Sequence, residues 1–394
     1  MNVIWEHRTL GDLYDVRDGT HDSPEYHSDG FPLITSKNLK SDGLSFDKVR
    51  LISEKDYISI NKRSAVDKGD ILFAMIGTIG NPTLVTINPN FAIKNVALFK
   101  IPQNQSNKFL KYYLESNFVI SKMMAEAKGT TQKFVGLGYL RNFPINIPQL
   151  TEQQRIVAIL DEAFEAISAA RANAEQNLQN ARALFESYLQ SVFSERGEGS
   201  KEMRLADISK DFGRGKSKHR PRNDPKLYGG SYPFIQTGDV RNSGHLITTY
   251  TQTYNDVGLA QSKLWPKGTL CITIAANIAE TGILDFDACF PDSVIGVVAN
   301  DEITSTKYLE YLLQSFKTHL QAKGKGSAQD NINLGTFENQ YFPFADLKKQ
   351  EEIVATLDIL SQEIQRLDIL YQRKIAALDE LKQSLLHQAF SGQL

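Results

Sequence analysis

Two long stretches of the chain carry apolar residues at helical spacing. Pro and Gly are absent between Gln149 and Arg196 and again between Ala345 and Ser391. The apolar positions in both stretches advance alternately by three and four residues, which predicts a heptad seam. Residues 151–197 and 348–394 are therefore predicted as two spacer helices. A helix of about 40 residues would be roughly 60 Å long.

The two predicted seams share one register. Asn177 and Lys374 are the polar breaks, and they stand 197 positions apart. The first seam is rich in Ala and the second in Leu, so small residues could face large ones in a mutual coiled coil. The alternative is that each helix only covers its own domain. The predicted seam residues are Leu160, Ile167, Leu184, Leu357, Ile364, Leu367, Leu378 and Leu381.

The remaining segments, 1–150 and 198–347, have a different texture. They are rich in Gly, Pro, Asn, aromatic and β-branched residues. Segments 70–76 and 269–274 each follow a Lys-Gly turn and predict buried strands. Segments 107–126 and 305–322 have helical spacing. We predict two mixed α/β domains that alternate with the two helices, an α+β fold class.

An internal repeat organises the whole chain. The pattern Gln-x-x-Ile-Val-Ala-x-Leu-Asp stands at 153–161 and again at 350–358. Pro32 recurs as Pro233, and Phe143-Pro144 recurs as Phe342-Pro343. The offset is 201 residues near the start and 197 near the end, as small loop insertions would produce. The chain is one unit of half the length, duplicated.

The ends of both helices carry start and stop signals. Thr151 begins a capping box that would start the first helix, and Gly197 and Gly392 stand where C-terminal glycines belong. Lys348 replaces the capping threonine in the second repeat. The second helix is therefore expected to start from Asp346.

Composition and charge exclude several classes of protein. The 394 residues are 41% hydrophobic and 23% charged with a net charge of −2, which is ordinary globular composition. Cys271 and Cys289 have neither zinc-site spacing nor the number of a disulfide framework, and we expect core residues in a reducing compartment. The start resembles no signal peptide, and no apolar run has the length of a membrane span. We expect a cytoplasmic protein with no membrane contact.

Motifs for catalysis are missing from the sequence. Segment 324–327 lacks the Ser or Thr and the upstream glycine of a phosphate loop, and 81–83 falls short of the Asn-Pro-Pro-aromatic signature of amino-methyltransferases. His21 and His27 share one loop with acidic residues, but no third ligand stands at metal spacing. We predict no catalytic residue and no metal site.

A basic segment in the second repeat is the clearest candidate for nucleic-acid contact. Residues 210–226 hold seven basic and two acidic residues, a net charge of +5. We interpret the segment as a loop whose positive charge suits contact with DNA phosphate groups. The alternative is a solvated surface loop that contacts no DNA. Amide and hydroxyl groups that follow at 236–239 suit base edges. The candidate residues are Arg214, Lys216, Lys218, His219, Arg220, Arg222, Gln236, Thr237 and Asp239.

Polar loops in matching places of the two repeats extend this prediction. Their residues differ between the repeats, as two readers of two different half-sites would show. The candidates in the first repeat are Thr20, His21, Lys37, Asn38, Gln132 and Lys133, and those just ahead of the second helix are Gln329 and Asn331.

Taken together, these residues resemble the specificity subunits of Type I restriction-modification systems. The resemblance covers the whole chain and rests on two domains alternating with two long helices. It also rests on the helix openings at 150–157 and 347–354 and on the helix endings Phe193-Ser194 and Phe390-Ser391. The segment 18–24 is similar to one class of target recognition domain, and 215–221 with 236–239 is similar to another.

The resemblance implies a function for the chain. Each recognition domain would read one half of a bipartite asymmetric site on double-stranded DNA, and the helices would form an antiparallel coiled coil that fixes the gap. The chain itself would be non-catalytic and hold no cofactor. Two methyltransferase subunits would bring S-adenosylmethionine and methylate adenine N6, and restriction subunits would bring ATP and Mg and cleave the DNA.

Two other classes of function remain as alternatives. The chain could be a coiled-coil adaptor whose repeated heads bind protein, against which the basic segment argues. It could also be a stand-alone methyltransferase or nuclease, against which the missing motifs argue.

Overall fold

A computed structural model describes residues 4–40, 42–194, 200–275, 278–318, 320 and 334–394, without the side chains of residues 334 and 336. The chain forms two compact units. The first unit comprises residues 1–175 and 372–394, and the second comprises 176–371. Each unit therefore combines one mixed α/β domain with a part of each long helix. The predicted α+β fold, with two mixed domains and two long helices, is confirmed.

The first unit contains two four-stranded sheets. One has the order Asp15–Asp18, Val96–Lys100, Ile71–Ala74 and Gly80–Leu84, all antiparallel. The other has the order Ala92–Ile93, Phe31–Ile34, Arg50–Ile52 and Tyr26–His27, with its first pair parallel. Shorter pairs join Glu6–Thr9 to Pro144–Ile147 and Leu39–Lys40 to Gly43–Leu44. Its short helices are Leu10–Leu13, Ser36–Asn38, Glu54–Ser64, Asn107–Glu115, Asn117–Glu126 and Leu137–Arg141.

The second unit repeats this plan. One sheet has the order Ser209–Arg214, Val294–Ala299, Leu270–Thr273, Thr281–Leu284 and Leu246–Ile247. The other has the order Gln252–Tyr254, Tyr228–Phe234, Ala288–Cys289 and Leu264–Trp265, and Lys201–Arg204 pairs with Tyr341–Phe344. Its short helices are Leu205–Ile208, Pro225–Leu227, Thr237–Asn242, Asp256–Ala260, Thr306–Ser315 and Leu334–Glu338. Cys271 and Cys289 are buried and unpaired, as predicted.

The two long helices span Leu150–Ser194 and Leu347–Phe390. In the first unit Arg155 donates to the carbonyl oxygen of Leu394 at 2.7 Å, and Arg171 donates to Asp379 at 2.5 Å. Residue numbers therefore rise along the first helix in the direction in which they fall along the second, so the two helices pair antiparallel.

The second unit shows the same antiparallel pairing. Arg182 pairs with Asp368, and further along, Phe193 lines one cavity together with Ile353 and Leu357. The predicted coiled coil is therefore present.

Two residues placed in the predicted seam lie outside it. Leu160 and Leu357 are buried, whereas Leu184 is 71% exposed and Leu381 is 47% exposed. The prediction for Leu184 and Leu381 is wrong. The other seam residues are partly buried, namely Ile167, Ile364, Leu367 and Leu378.

The cause is the period of the α-helix. A helix has 3.6 residues per turn, so a stripe of strict 3.5 period drifts around it by about 20° per heptad. The buried face of the first helix passes to Leu178, and that of the second passes to Ile375. Asn177 and Lys374, interpreted as polar breaks in the seam, are exposed residues beside it.

The helix starts differ slightly from their prediction. The first helix begins at Leu150, one residue before the predicted cap Thr151. The second begins at Leu347, and the carboxylate of Asp346 accepts from the backbone N–H of Lys349 at 2.8 Å. The expected start at Asp346 is confirmed. Gly392 has a φ of +76°, as a C-terminal glycine requires, while Gly197 lies outside the described residues.

The repeated glutamine anchors each helix to its domain. Gln153 and Gln350 are buried, and each side-chain amide donates to the carbonyl five residues upstream at 2.9 Å. Gln153 accepts from the backbone N–H of Ser106 at 3.0 Å, and Gln350 accepts from the hydroxyl of Thr304 at 2.8 Å. These buried polar groups are satisfied, so the glutamines fix the angle at which each helix leaves its domain.

The repeated aspartate completes the anchor about two helix turns later. Asp161 and Asp358 each accept from a lysine at 2.5 Å and from a tyrosine hydroxyl of the same unit. The partners are Lys108 and Tyr112 in the first unit and Lys307 and Tyr311 in the second. The most regular motif of the repeat therefore has a structural role.

Candidate nucleic-acid interface

Several polar loops of the first unit meet at one end of its antiparallel sheet. The register pairs Asp18 with Ala97 and Val96 with Ala74, so the turns that follow 18 and 74 and precede 96 share one end. A bridge between Thr20 and Lys94 extends this end. A second bridge brings the loop 128–134 there by joining Ile76 to Phe134.

A glycine begins the corresponding loop in both units because the backbone approaches too closely for a side chain. A Cβ on Gly19 would lie 2.3 Å from the carbonyl oxygen of Ile93. A Cβ on Gly215 would lie 2.2 Å from that of Phe290. Gly19 and Gly215 thus occupy equivalent places, and the residues after them are presented at the same end of each sheet.

His21 is held by the protein on both ring nitrogens. Nδ1 lies 2.8 Å from the side-chain oxygen of Asn95, and Nε2 lies 2.9 Å from the buried carboxylate of Asp18. Arg63 also pairs with Asp18. The hydrogen bonds to Asn95 and Asp18 raise the pKa of His21. Because both ring nitrogens are bonded within the protein, neither is available to donate a hydrogen bond to DNA. The predicted DNA contact of His21 would therefore be made through its charge and its exposed ring edge.

The raised pKa of His21 makes the order of this loop depend on pH. A histidine whose pKa is raised on folding contributes stability fully below its ordinary pKa of about 6.5. That contribution is lost as pH rises through the higher folded pKa. Histidine NMR titration should therefore show His21 titrating above 6.5 in the intact chain, and at a lower pH in Asn95→Ala. A His21 pKa at or below the ordinary value would contradict this account.

Two other candidates stand at the third position of short helices, and their side chains bond back to the backbone of the N-cap residue. Asn38 is buried, and its side-chain oxygen accepts from the backbone N–H of Thr35 at 3.0 Å. At the matching place, the carboxylate of Asp239 accepts from the backbone N–H of Gln236 at 2.8 Å. Asn38 was predicted to contact DNA, and in the structure its polar atoms bond Thr35 and the carbonyl of Ser45. Asp239 likewise faces its own helix start.

The remaining candidates of the first unit are on the surface. Lys37, Gln132 and Lys133 are exposed, and Thr20 is partly exposed. The backbone carbonyl of Lys133 accepts from the N–H of Gly77 at 2.9 Å, which fixes the loop that carries Gln132. Gln329 and Asn331 lie outside the described residues.

The basic segment of the second unit is only partly a loop. Residues Ser209–Arg214 form a strand, so the interpretation of 210–226 as one loop is wrong at its start. The pairing of this strand with Val294–Ala299 is irregular between Ser209 and Asp211, at Lys210. Lys210 pairs with Asp301 at 2.7 Å, and Arg214 donates to the carbonyl oxygen of Asp292 at 2.6 Å.

Internal contacts also occupy several charges of the loop itself. Arg220 donates to the carbonyl of Ser217 at 2.6 Å, and Arg222 pairs with Asp292 at 2.8 Å. His219 lies 2.8 Å from Asp224 and lowers the pKa of that carboxyl.

Lys216 and Lys218 are the freest charges of this loop. Both are exposed, and neither makes a side-chain hydrogen bond or ion pair with the part of the chain that the structure describes. They are therefore the strongest candidates for phosphate contact in the segment.

A cleft brings together the two motifs of the second unit. Its volume is about 560 Å³, and Ser217 and Arg222 of the basic loop line it together with Gln236 and Thr237. Tyr228, Phe234, Asn223, Gln252, Pro291 and Ser293 complete its lining. Segments far apart in the sequence thus form one surface.

The two units differ at the equivalent place. Gln252 lies opposite Phe234 on the neighbouring strand, and Arg50 lies opposite Leu33 in the same way. The sequence prediction missed Gln252 and Arg50, because only strand pairing brings them beside the loops. One scaffold therefore presents different hydrogen-bonding groups in each unit.

Clusters of metal-ligating side chains are absent from the part of the chain that the structure describes. Within those ranges, His, Cys, Asp and Glu form no group of three or more that could hold a metal ion. Among the described helices, none is long and apolar enough to cross a membrane.

Comparison with known proteins agrees with this architecture. The family model for the Type I restriction modification DNA specificity domain matches residues 2–177 and 197–372. The EcoBI specificity subunit of Escherichia coli, a Type I restriction enzyme, is 23% identical over 95% of this chain and 85% of its own length. A putative type I specificity subunit of Haemophilus influenzae is 25% identical over 73% of this chain and 74% of its own length.

Solved structures share the fold. A chain from work on complex assembly and conformational transition of the type I R-M system aligns with a TM-score of 0.78 at 20% identity, covering 100% of both chains. The HsdS subunit of Thermoanaerobacter tengcongensis aligns with a TM-score of 0.60 at 22% identity over 99% of this chain and 97% of that one. The two family matches cover most of the sequence, and the chain belongs to the Type I restriction-modification DNA specificity family.

Proposed function

We propose that the chain reads a bipartite, asymmetric target on double-stranded DNA, with one half-site for each unit. The observation that carries this proposal is that the two units share one scaffold but present different side chains at equivalent places. Thr35 and Arg50 stand in the first unit where Gln236 and Gln252 stand in the second. Phosphate contacts position a protein on DNA and base contacts specify the sequence, so different groups at one place imply different half-sites.

The chain would direct the chemistry of partner subunits and perform none itself. Two methyltransferase subunits would supply S-adenosylmethionine, and restriction subunits would supply ATP and Mg. Exposed apolar side chains on the helix segments of the second unit are candidate contacts for a protein partner. They are Leu184 (71% exposed), Ile359 (63%), Leu370 (57%) and Ile369 (53%).

Salt dependence of DNA binding tests the interface. Arg214, Lys218 and Arg222 were all predicted to contact phosphates, and of the three, Lys218 is the one whose side chain has no partner among the described residues. Lys218→Ala should weaken binding of every sequence alike and reduce the slope of log K against log salt by about one unit.

Lys210→Ala is the matched control. It removes the same charge from the far end of the adjoining strand, where Lys210 already pairs with Asp301. Its salt slope should equal that of the unmodified chain. An unchanged slope in Lys218→Ala, or an equal loss in both variants, would place the interface elsewhere.

A further inference from the structure

Two glutamine side chains meet in the cleft of the second unit. Gln236 precedes the helix Thr237–Asn242, and Gln252 lies on the neighbouring strand. The amide nitrogen of Gln236 donates to the amide oxygen of Gln252 at 2.7 Å. Both residues line the cleft, so the pair borders open space on that side.

The pair leaves a defined set of polar atoms free. An amide that donates to another keeps its carbonyl oxygen, and the amide that accepts keeps its NH2 group. The pair therefore offers one acceptor and one donor side by side, whichever of the two amides donates.

Asp239 holds this arrangement in place. One carboxylate oxygen accepts from the backbone N–H of Gln236 at 2.8 Å. The other accepts from the hydroxyl of Thr251, the residue before Gln252, at 3.3 Å. Asp239 is thus a positioning residue that ties both glutamines to one carboxylate, which limits the freedom that binding would otherwise remove.

Base chemistry selects one partner for such a pair. In the major groove adenine offers a donor at N6 beside an acceptor at N7, guanine offers two acceptors, and cytosine offers a single donor. Thymine offers one acceptor and a methyl group. Adenine is the base whose own edge matches a neighbouring acceptor and donor.

We propose that the Gln236–Gln252 pair reads an adenine in the half-site of the second unit. The free carbonyl oxygen accepts from N6, and the free NH2 group donates to N7. This inference rests on the proposed function and specifies one base contact within it.

Analogue scanning tests the contact atom by atom. The full chain is assembled with its methyltransferase subunits, and the DNA motif is first established from the positions that this complex methylates. Each adenine of the second half-site is then replaced by 7-deazaadenine, which lacks the N7 acceptor. At one position the replacement should weaken binding by on the order of tenfold, because a bidentate base contact contributes about 1–3 kcal/mol of discrimination.

Protein variants link that position to the pair. In Gln252→Ala the same 7-deazaadenine should cause no additional loss. Gln252→Glu keeps an acceptor for the amide of Gln236 but replaces the free NH2 group, so it should lose the preference for adenine at that position while the fold is kept. Gln103→Ala, at an exposed position of the first unit outside the candidate loops, is the matched control and should leave the sensitivity to 7-deazaadenine unchanged.

The outcomes separate this inference from the proposed function. A bipartite motif in which no adenine of the second half-site is sensitive to 7-deazaadenine would overturn the adenine contact and leave the proposed function standing. The same holds if the sensitivity persists at full size in Gln252→Ala. Absence of any bipartite motif would overturn the proposed function itself.

Discussion

Replacing Phe390 by alanine should destabilise the first unit by about 3–5 kcal/mol, the usual cost of removing a buried phenylalanine. Phe390 ends the second long helix, yet it is buried in the core that contains Phe109 and Tyr113. Its ring centroid lies 5.1 Å from that of Phe109 and 5.3 Å from that of Tyr113, both in edge-to-face geometry. The variant would leave a cavity among these rings.

Hydrogen exchange measures the effect by region. Protection should fall in strand Ile71–Ala74 of the first unit and persist in strand Leu270–Thr273 of the second. Leu381→Ala, on the same helix, is the control, since Leu381 is 47% exposed and should cost less than about 1 kcal/mol. Loss of protection in the second unit alone would contradict the assignment of the helix end to the first unit.

Lengthening both long helices by four residues should move the two half-sites apart by one or two base pairs. Each insertion adds about 6 Å at 1.5 Å per residue, and base pairs stack about 3.4 Å apart. The insertions belong after Glu175 and after Tyr371, where the two units divide, so that each unit keeps its own packing. Four residues form a stutter, which the helix pair absorbs by local unwinding.

The spacing of the half-sites is measured by mapping the methylated motif before and after the insertion. Both half-site sequences should be unchanged, since the insertions touch no polar loop. A matched variant with four residues inserted into the surface turn 103–105 should keep the original gap. If the gap also stays the same in the lengthened helices with full methylation, the helices do not set the spacing.

Hydrophobic period and local turn chemistry were sufficient to predict the framework from sequence. Strands at 71–74 and 270–273 and the two long helices depend on residues close in sequence, which is why they were predicted. The predicted seam departs from the buried face beyond Ala174, because a repeat of 3.5 residues and a helix of 3.6 residues per turn diverge slowly. Only the position of the partner helix decides which residue, Leu178 or Asn177, is buried.

The candidate site was harder to predict because polar residues have more than one use. Asn38 and Asp239 stand in polar loops, and nothing local separates a cap from a base contact until the hydrogen bonds are seen. Gln252 was missed because its place beside Gln236 depends on strand pairing. Lys216 and Lys218 were predicted as candidates for DNA contact, and both are exposed. Exposure of a charged side chain depends on no tertiary partner, which is why it could be predicted.

Exchange of one unit tests the central claim most directly. Residues 1–175 together with 372–394 would be replaced by the same segments of another specificity subunit, because the end of the second helix packs in the first unit. Methylated positions would then be mapped in DNA from cells that carry the hybrid with its methyltransferase. One half of the motif should change to that of the donor, while the other half stays as before. A change in both halves would contradict the account, because the two units would then read a single composite site.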